Sequence, residues 1–180
     1  QAIVAKWAVD QIKDSSVSVK VGNESMVFAR QPDDTYTAGP GIKMTLEKNG
    51  SSGHLLKSRF GTTFTFNAAG ELTAISDIYG KTLAVTWTGG NVSSVKDAYN
   101  RQLTFNYGGD SLLDSVTDST GRTISFTYDN GNLETFTDPD ANVSRYTYTF
   151  NRLQEFRNGE HQTVAINRHD SLGKVTDQDS

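Results

Sequence analysis

Short segments in which apolar and polar residues alternate strictly recur along the chain. In the segment ISFTY, the residues Ile124, Phe126 and Tyr128 fall on one side and the two polar residues between them fall on the other. A period of two over five residues, with aromatic and β-branched side chains, is typical of a β-strand whose two faces differ. The equivalent segments are TTFTF at 62–66, LAVTW at 83–87, LTFNY at 103–107, ISFTY at 124–128 and SRYTY at 144–148. The pattern therefore predicts a series of similar strands.

A second kind of segment, with apolar residues three positions apart, follows most of these strands. Its copies are LTAISD from Leu72, VSSVKD from Val92, LDSVTD from Leu113, LETFTD from Leu133, LQEFRN from Leu153 and LGKVTD from Leu172. They recur about every twenty residues, and a fixed period identifies a repeat architecture. Links containing glycine or asparagine join the two kinds of segment and suit tight hairpin turns that need positive φ. Each repeat is thus predicted to be one β-hairpin, and the chain to be all-β.

The larger side chains of the alternating segments are predicted to form an aromatic stripe across neighbouring strands. Aromatic cross-strand pairs of this kind contribute roughly 0.2 to 1 kcal/mol each. We expect core packing along the stripe, and sugar stacking on its rings is the alternative. The predicted stripe consists of Phe64, Phe66, Trp87, Phe105, Tyr107, Phe126, Tyr128, Tyr146 and Tyr148.

The links between repeats, DIYG, DAYN, DSTG and DPDA, predict type I turns. Aspartate at the first corner accepts backbone N–H bonds, proline suits the second corner, and glycine or asparagine suits the fourth. In the fifth link, NGEH, Asn158 takes the place of the aspartate. The predicted structural turn residues are Asp77, Gly80, Asp97, Asn100, Asp118, Gly121, Asp138 and Pro139.

The N-terminal third of the chain has a looser pattern. Alternation at 17–21 and 42–46 is interrupted by turn residues, so residues 1–58 are interpreted as an irregular β lead-in. Residues 1–14 have apolar residues at helical spacing but no N-cap, so we favour a strand, and a helix is the alternative. We expect this lead-in to be continuous with a hairpin array of about six repeats at 59–180, as one domain.

Composition excludes several classes of function. The net charge is −4 and no long basic segment is present, so the sequence does not indicate nucleic-acid binding. The chain contains no cysteine, which excludes disulfides and thiolate metal sites. It begins at Gln1 without an initiator methionine, and we interpret it as a piece of a longer protein.

The aspartates suggest two kinds of chemistry, and repetition argues against both. A calcium loop would use alternate oxygen-bearing residues, but Val143 replaces the glycine at position six and Thr149 replaces the glutamate at position twelve. A glycosidase needs two carboxylates across one cleft, whereas these carboxylates recur at successive turns. The oxygen-bearing residues of the calcium alternative are Asp138, Asp140, Asn142 and Ser144.

The remaining polar side chains indicate no catalytic or metal site. His54, His161 and His169 lack metal-ligand spacing, and no serine occupies a nucleophile elbow. We therefore expect no enzyme activity, no cofactor and no metal. Lys81, Arg101 and Arg122 follow the turns at one register; we expect them to pair with carboxylates of neighbouring repeats, and binding of an acidic partner is the alternative.

The segment GRTISFTYDNGNLETFTD at 121–138 resembles the YD repeat of the Rhs (rearrangement hotspot) and teneurin-like superfamily. The resemblance includes the pair Tyr128 and Asp129, from which the repeat takes its name, and covers residues 59–180. Residues 17–58 resemble the lead-in before the first repeats of bacterial Rhs proteins. In this family the hairpins form one curved, spiralling sheet that encloses a toxin domain in Rhs proteins and Tc toxin complexes, while in teneurins they serve adhesion.

The resemblance implies a non-enzymatic structural module, a segment of a β-shell that encapsulates or presents a toxin domain. The family's self-cleaving aspartyl signature is not matched, because DPDA at 138–141 lacks the glycine and leucine that follow. The implied partners are the rest of the shell and the toxin domain, and the implied location is secreted or on the bacterial cell surface. A carbohydrate-binding or adhesion module is the alternative, with a glycan as its partner. Since open sheet edges recruit further strands, we also expect the chain to self-associate edge to edge.

Overall fold

The computed structural model describes residues 15–21, 23–51, 53–170 and 172–179. The strand predicted within residues 1–14 lies outside this range. All regular elements in the described ranges are β-strands, and consecutive strands within each sheet pair antiparallel. The predicted all-β class and the tandem antiparallel hairpins are therefore confirmed. No helix in the described residues has the length and apolar character needed to cross a membrane.

The seventeen strands of the described residues follow one another with short connections. They are β1 (Ser16–Val21), β2 (Glu24–Arg30), β3 (Tyr36–Ala38), β4 (Met44–Asn49), β5 (Gly53–Ser58), β6 (Thr63–Phe66), β7 (Leu72–Ser76), β8 (Thr82–Thr88), β9 (Asn91–Lys96), β10 (Gln102–Tyr107), β11 (Leu113–Asp118), β12 (Thr123–Asp129), β13 (Asn132–Thr137), β14 (Val143–Thr149), β15 (Arg152–Arg157), β16 (Thr163–His169) and β17 (Val175–Asp179).

The strands form two sheets in chain order. Strands β1 to β3 form a three-stranded sheet, and β4 to β17 form a fourteen-stranded sheet in which each strand lies beside its neighbours in sequence. The described residues divide into two compact units, one comprising those up to residue 91 together with 96–100, and the other comprising 92–95 together with those from residue 101 onward.

The first unit contains a small core between the three-stranded sheet and the first strands of the long sheet. Phe28 of β2 and Leu56 of β5 are fully buried there, and burying one such side chain contributes roughly 1.5 to 3 kcal/mol. Val19, Met26 and Leu46 complete the core. The side chains packed around it are Val17, Val21, Tyr36, Ala38, Ile42, Met44, Phe64 and Phe66.

The second unit is built differently. Among its described residues Thr135 is buried, and the large apolar side chains are half-buried or exposed. Apolar contact comes instead from rings on adjacent strands, as where Phe126 faces Phe136 with ring centroids 5.7 Å apart. Tyr146 stacks on Phe156 at 5.0 Å with an interplanar angle of 12°. Neighbouring strands, and not a central core, therefore supply the packing of this unit.

Candidate functional site: turns, bulges and the aromatic stripe

The turn at Asp118 illustrates how one repeat is connected to the next. Its Oδ1 accepts hydrogen bonds from the backbone N–H groups of Thr120 (2.8 Å) and Arg122 (3.1 Å). The N–H of Gly121 donates to the carbonyl of Asp118 at 3.0 Å, and Gly121 has φ of 88°. A type I turn followed by a left-handed residue has this geometry, and it fits the right-handed twist of the flanking strands.

The same geometry recurs at the other links between repeats. Asp77 accepts from Tyr79 N and Lys81 N, and Asp97 accepts from Tyr99 N. The fourth corner has positive φ in each turn and is occupied in order by Gly80, Asn100, Gly121, Ala141 and His161.

The later links vary the residues and keep the bonds. Asp138 accepts from the N–H groups of Asp140 and Asn142, both at 2.9 Å, and Pro139 is exposed at the second corner. Asn158 makes the equivalent bonds to Glu160 N and Gln162 N at 3.1 and 2.9 Å. One backbone geometry therefore tolerates either aspartate or asparagine at its first corner.

The carboxylates of Asp118 and Asp138 are engaged in hydrogen bonds within their own turns. Hydrogen bonds from the Thr120 hydroxyl and the Arg122 guanidinium hold the pKa of Asp118 well below its usual range. The Asn142 amide and backbone N–H lower the pKa of Asp138 in the same way. A carboxylate with a depressed pKa whose oxygens accept bonds within its own turn is not poised to donate a proton. The turn aspartates thus shape the chain.

The second strand of the hairpin contains a β-bulge at β7, β11, β13, β15 and β17, and this bulge was not predicted from the sequence. Thr127 lies opposite Thr135 and Tyr128 lies opposite Leu133, so that Glu134 is an extra residue in β13. The bulge places Leu133 and Phe136 on one face although they are three residues apart. Apolar residues at i and i+3 would otherwise lie on opposite faces of a strand, so this spacing was the available signal. The extra residues are Thr73, Asp114, Glu134, Gln154 and Thr176.

Side chains of the following strand donate hydrogen bonds to carbonyl groups at these bulges. Trp87 Nε1 donates to the carbonyl of Leu72 at 2.8 Å, and the Tyr128 hydroxyl donates to the carbonyl of Leu113 at 3.0 Å. Each donor lies fifteen residues beyond its acceptor and in the next repeat. The polar tips of these two stripe residues therefore connect one repeat to the preceding one.

The same contact recurs in altered form near the end of the array. Asn167 Nδ2 donates to the carbonyl of Leu153 at 3.3 Å, and Gln154 Nε2 donates to the carbonyl of Asn167 at 3.4 Å. Here an amide replaces the aromatic donor, so the bulge contact does not depend on a ring.

The predicted stripe residues occupy half-buried positions. Phe64 and Phe66 pack against the core of the first unit. Further along the chain, each of three stripe residues lies opposite an apolar residue of the bulged strand. The pairs are Phe105 with Val116, Phe126 with Phe136, and Tyr146 with Phe156. Tyr107 is also half-buried. Burial raises the pKa of Tyr128 and of Tyr148, which keeps both phenols neutral near pH 7.

The other candidate chemistry is also accounted for by local contacts. No group of three or more His, Asp or Glu side chains that could hold a metal is found among the described residues. His54 is hydrogen-bonded to the Tyr36 hydroxyl at 2.9 Å, and burial lowers its pKa. The prediction that the cations pair with neighbouring repeats is wrong for Arg122, which pairs with Asp118 of its own turn because the two lie four residues apart across the turn.

Comparison with known proteins gives structural similarity alone. No family model and no curated protein matches the chain. The chain is similar to a chain in the crystal structure of TcdB2-TccC3-Cdc42, with a TM-score of 0.44 and 13% identity, covering 96% of this chain. It is also similar to a chain in the crystal structure of TcdB2-TccC3-TEV, with a TM-score of 0.43 and 12% identity, covering 97% of this chain. In both cases the chain spans 13% of the length of the other protein.

Proposed function

We propose that this chain is a non-enzymatic structural repeat module, a segment of a β-shell that encapsulates or presents a toxin domain in a secreted bacterial protein. The observation that carries the proposal is the contact between the Tyr128 hydroxyl and the Leu113 carbonyl, which the Trp87 indole and Leu72 repeat. Successive hairpins lie side by side in one hydrogen-bonded sheet, and this side-chain contact adds a further bond at Trp87 and at Tyr128. Such a wall can be extended by further repeats without a new buried core.

The turn carboxylates form hydrogen bonds within their own turns, which supports a structural role. Asp118 and Asp138 direct their oxygens at backbone N–H groups of their own turns, as does Asp77. These residues keep one turn geometry while the other residues of the turn change. The proposal of a secreted or surface location and of a toxin partner rests on the resemblance of residues 121–138 to the YD repeat.

Protease protection tests the encapsulation proposal. The natural polypeptide that contains this segment would be digested under native conditions, with and without the substitutions Phe126→Ala and Phe136→Ala, which remove a cross-strand pair of rings. We expect a protected fragment outside residues 1–180 that becomes sensitive in the double variant. Equal sensitivity of that fragment in both proteins would contradict encapsulation.

Edge-to-edge self-association is a further part of the proposal. Strand β4 has a single neighbour in the long sheet and is therefore an edge strand. Charged side chains on an edge strand discourage pairing with a strand of another molecule. We expect sedimentation velocity to reveal dimers or larger species of the wild-type chain, reduced by Thr45→Lys in β4. The control is Thr147→Lys in the interior strand β14. A monomer at all concentrations would contradict this proposal.

Sugar binding by the stripe, the alternative from the sequence, is not favoured by the contacts of its polar groups. The indole N–H of Trp87 and the hydroxyl of Tyr128 donate to backbone carbonyls of the chain, so neither is available to orient a sugar. Phe126 and Tyr146 lie against rings of the adjacent strand.

A further inference from the structure

A row of exposed apolar side chains lies at the turns between repeats in the first unit. Phe60, Tyr79 and Tyr99 occupy the third position of three successive turns, with exposed fractions of 78%, 82% and 64%. Ile78, in the middle turn, is 62% exposed. In the second unit the same turn position holds Thr120, Asp140 and Glu160. The turn geometry therefore does not require an aromatic residue, and the rings of the first unit need another explanation.

Contacts connect the three turns and engage the rings of Phe60 and Tyr99. A side chain at Gly61 would collide with Cγ2 of Ile78, so the first two turns lie against one another. Lys81 Nζ lies 5.2 Å from the centroid of the Tyr99 ring and donates to its hydroxyl at 2.6 Å, which connects the second turn to the third. The Arg59 guanidinium lies 5.1 Å from the centroid of Phe60. A ring fixed before binding loses less conformational entropy when it stacks on a ligand.

The spacing of the rings limits the kind of partner. Successive turns on this edge of the sheet are two strands apart, and strands lie 4.7 to 4.9 Å from each other, so the rings recur roughly every 9.5 Å. A β-1,4-linked polysaccharide is a nearly straight chain whose disaccharide unit has a comparable length. One sugar in two can therefore place its apolar C–H face on successive rings.

The charged groups of the row are engaged with the protein. The Asp77 carboxylate accepts from Tyr79 N and Lys81 N, and the cations of Lys81 and Arg59 lie against aromatic rings. Recognition would therefore depend on ring stacking and hydroxyl contacts. We propose that Phe60, Tyr79 and Tyr99 bind a linear, uncharged β-1,4-linked polysaccharide. This site is separate from the stripe, and the proposal goes beyond the scaffold function and does not depend on it.

Calorimetric titration of the chain with cellohexaose, xylohexaose and mannohexaose tests this site. We expect at least one of the three to bind, and Tyr79→Ala and Tyr99→Ala each to weaken binding roughly 2- to 10-fold, the range expected for one aromatic contact. Tyr79→Trp should retain binding because it preserves the stacking surface. The matched control is Thr120→Ala, which changes the same turn position in the second unit and should leave affinity unchanged.

Several results would overturn the proposal. One is that none of the three oligosaccharides binds, and another is that wild type and Tyr79→Ala bind with equal affinity. Binding of acidic polysaccharides alone, abolished by high salt, would indicate charge recognition and would also overturn it. Thermal melts of each variant show whether the turns remain folded, and an unaltered melt with lost affinity supports the site. Failure here leaves the protease-protection test of the scaffold function unaffected, so the two proposals fail separately.

Discussion

Replacing Tyr128 with phenylalanine tests whether the bulge contact stabilises the repeats. The substitution removes one hydroxyl, which donates to the Leu113 carbonyl at 3.0 Å, and leaves the ring opposite Leu133. An intramolecular hydrogen bond contributes roughly 0.5 to 1.5 kcal/mol, and a buried carbonyl left without a donor costs roughly 1 to 3 kcal/mol. Because Tyr128 is half-buried, we expect a loss of about 1 kcal/mol in the free energy of unfolding.

Urea unfolding followed by circular dichroism measures this loss, and Tyr107→Phe is the matched control. Tyr107 occupies the same strand position one repeat earlier, and its ring is also half-buried. Its hydroxyl makes no hydrogen bond to any described residue, so we expect a change within about 0.5 kcal/mol. Equal effects of the two substitutions would refute the reasoning, because the loss at Tyr128 could then not come from the carbonyl of Leu113.

The pH dependence of the same pair gives a second readout. Burial, with a smaller contribution from Asp110 and Asp114, raises the pKa of Tyr128 above its ordinary value of 10.0. A phenol whose pKa is higher in the folded state contributes stability that is present below its unfolded pKa and is lost as the pH rises through the folded value. The advantage of wild type over Tyr128→Phe should therefore persist at pH 7 to 9 and decline above about pH 10. An advantage that grows above pH 10 would contradict the assigned donor.

Substitutions at four further positions test the turns and the core. Asp118→Ala should lower the urea midpoint, and Asp118→Asn should lower it less, because Asn158 makes the same backbone bonds in its own turn. Since the pKa of Asp118 is depressed in the folded protein, the difference in stability between wild type and the asparagine variant should be present above about pH 4. This difference should vanish as the pH falls further. Gly121→Ala should lower the free energy of unfolding by roughly 1 kcal/mol, and Ala141→Gly should raise it by up to a similar amount, because both positions have positive φ. Urea unfolding measures both changes, and a stabilising Gly121→Ala would contradict this turn geometry. Phe28→Ala should lower the free energy of unfolding of the first unit by roughly 3 to 5 kcal/mol, because Phe28 is fully buried. Thermal melting measures this loss, and a loss below about 1 kcal/mol would show that this core is not formed.

Period and alternation predicted most of the fold. Alternation in ISFTY at 124–128 located β12, and the twenty-residue period located its neighbours, because both patterns depend on interactions within one hairpin. The separate sheet formed by β1 to β3 could not be predicted in this way. Alternation indicates which side of a strand is apolar, as at Val19, but the surface that covers it depends on contacts distant in the sequence, here Leu46 and Leu56.

The bulges show where a visible pattern had an unrecognised cause. The spacing of Leu133 and Phe136 marks the repeat in the sequence. Apolar residues three positions apart share one face of a strand only if the strand contains an extra residue between them, as in a β-bulge. The donors Trp87 and Tyr128 could then have been matched to their carbonyl acceptors by the constant separation of fifteen residues. The pairing of Arg122 within its own turn was missed for a different reason, since the predicted register placed cations in a row and neglected the shorter distance to Asp118.

Native-state hydrogen exchange of the Tyr128→Phe variant tests the central claim most directly, because the proposed β-shell segment uses the contact between Tyr128 and Leu113 to couple one hairpin to the preceding one. The hydroxyl lies on β12 and its acceptor lies on β11, in the preceding repeat. We predict faster exchange of backbone amides in both strands, with amides of the first unit's core strands β4 and β5 unchanged. Faster exchange confined to β12 would contradict the claim, because each hairpin would then open independently of the one before it.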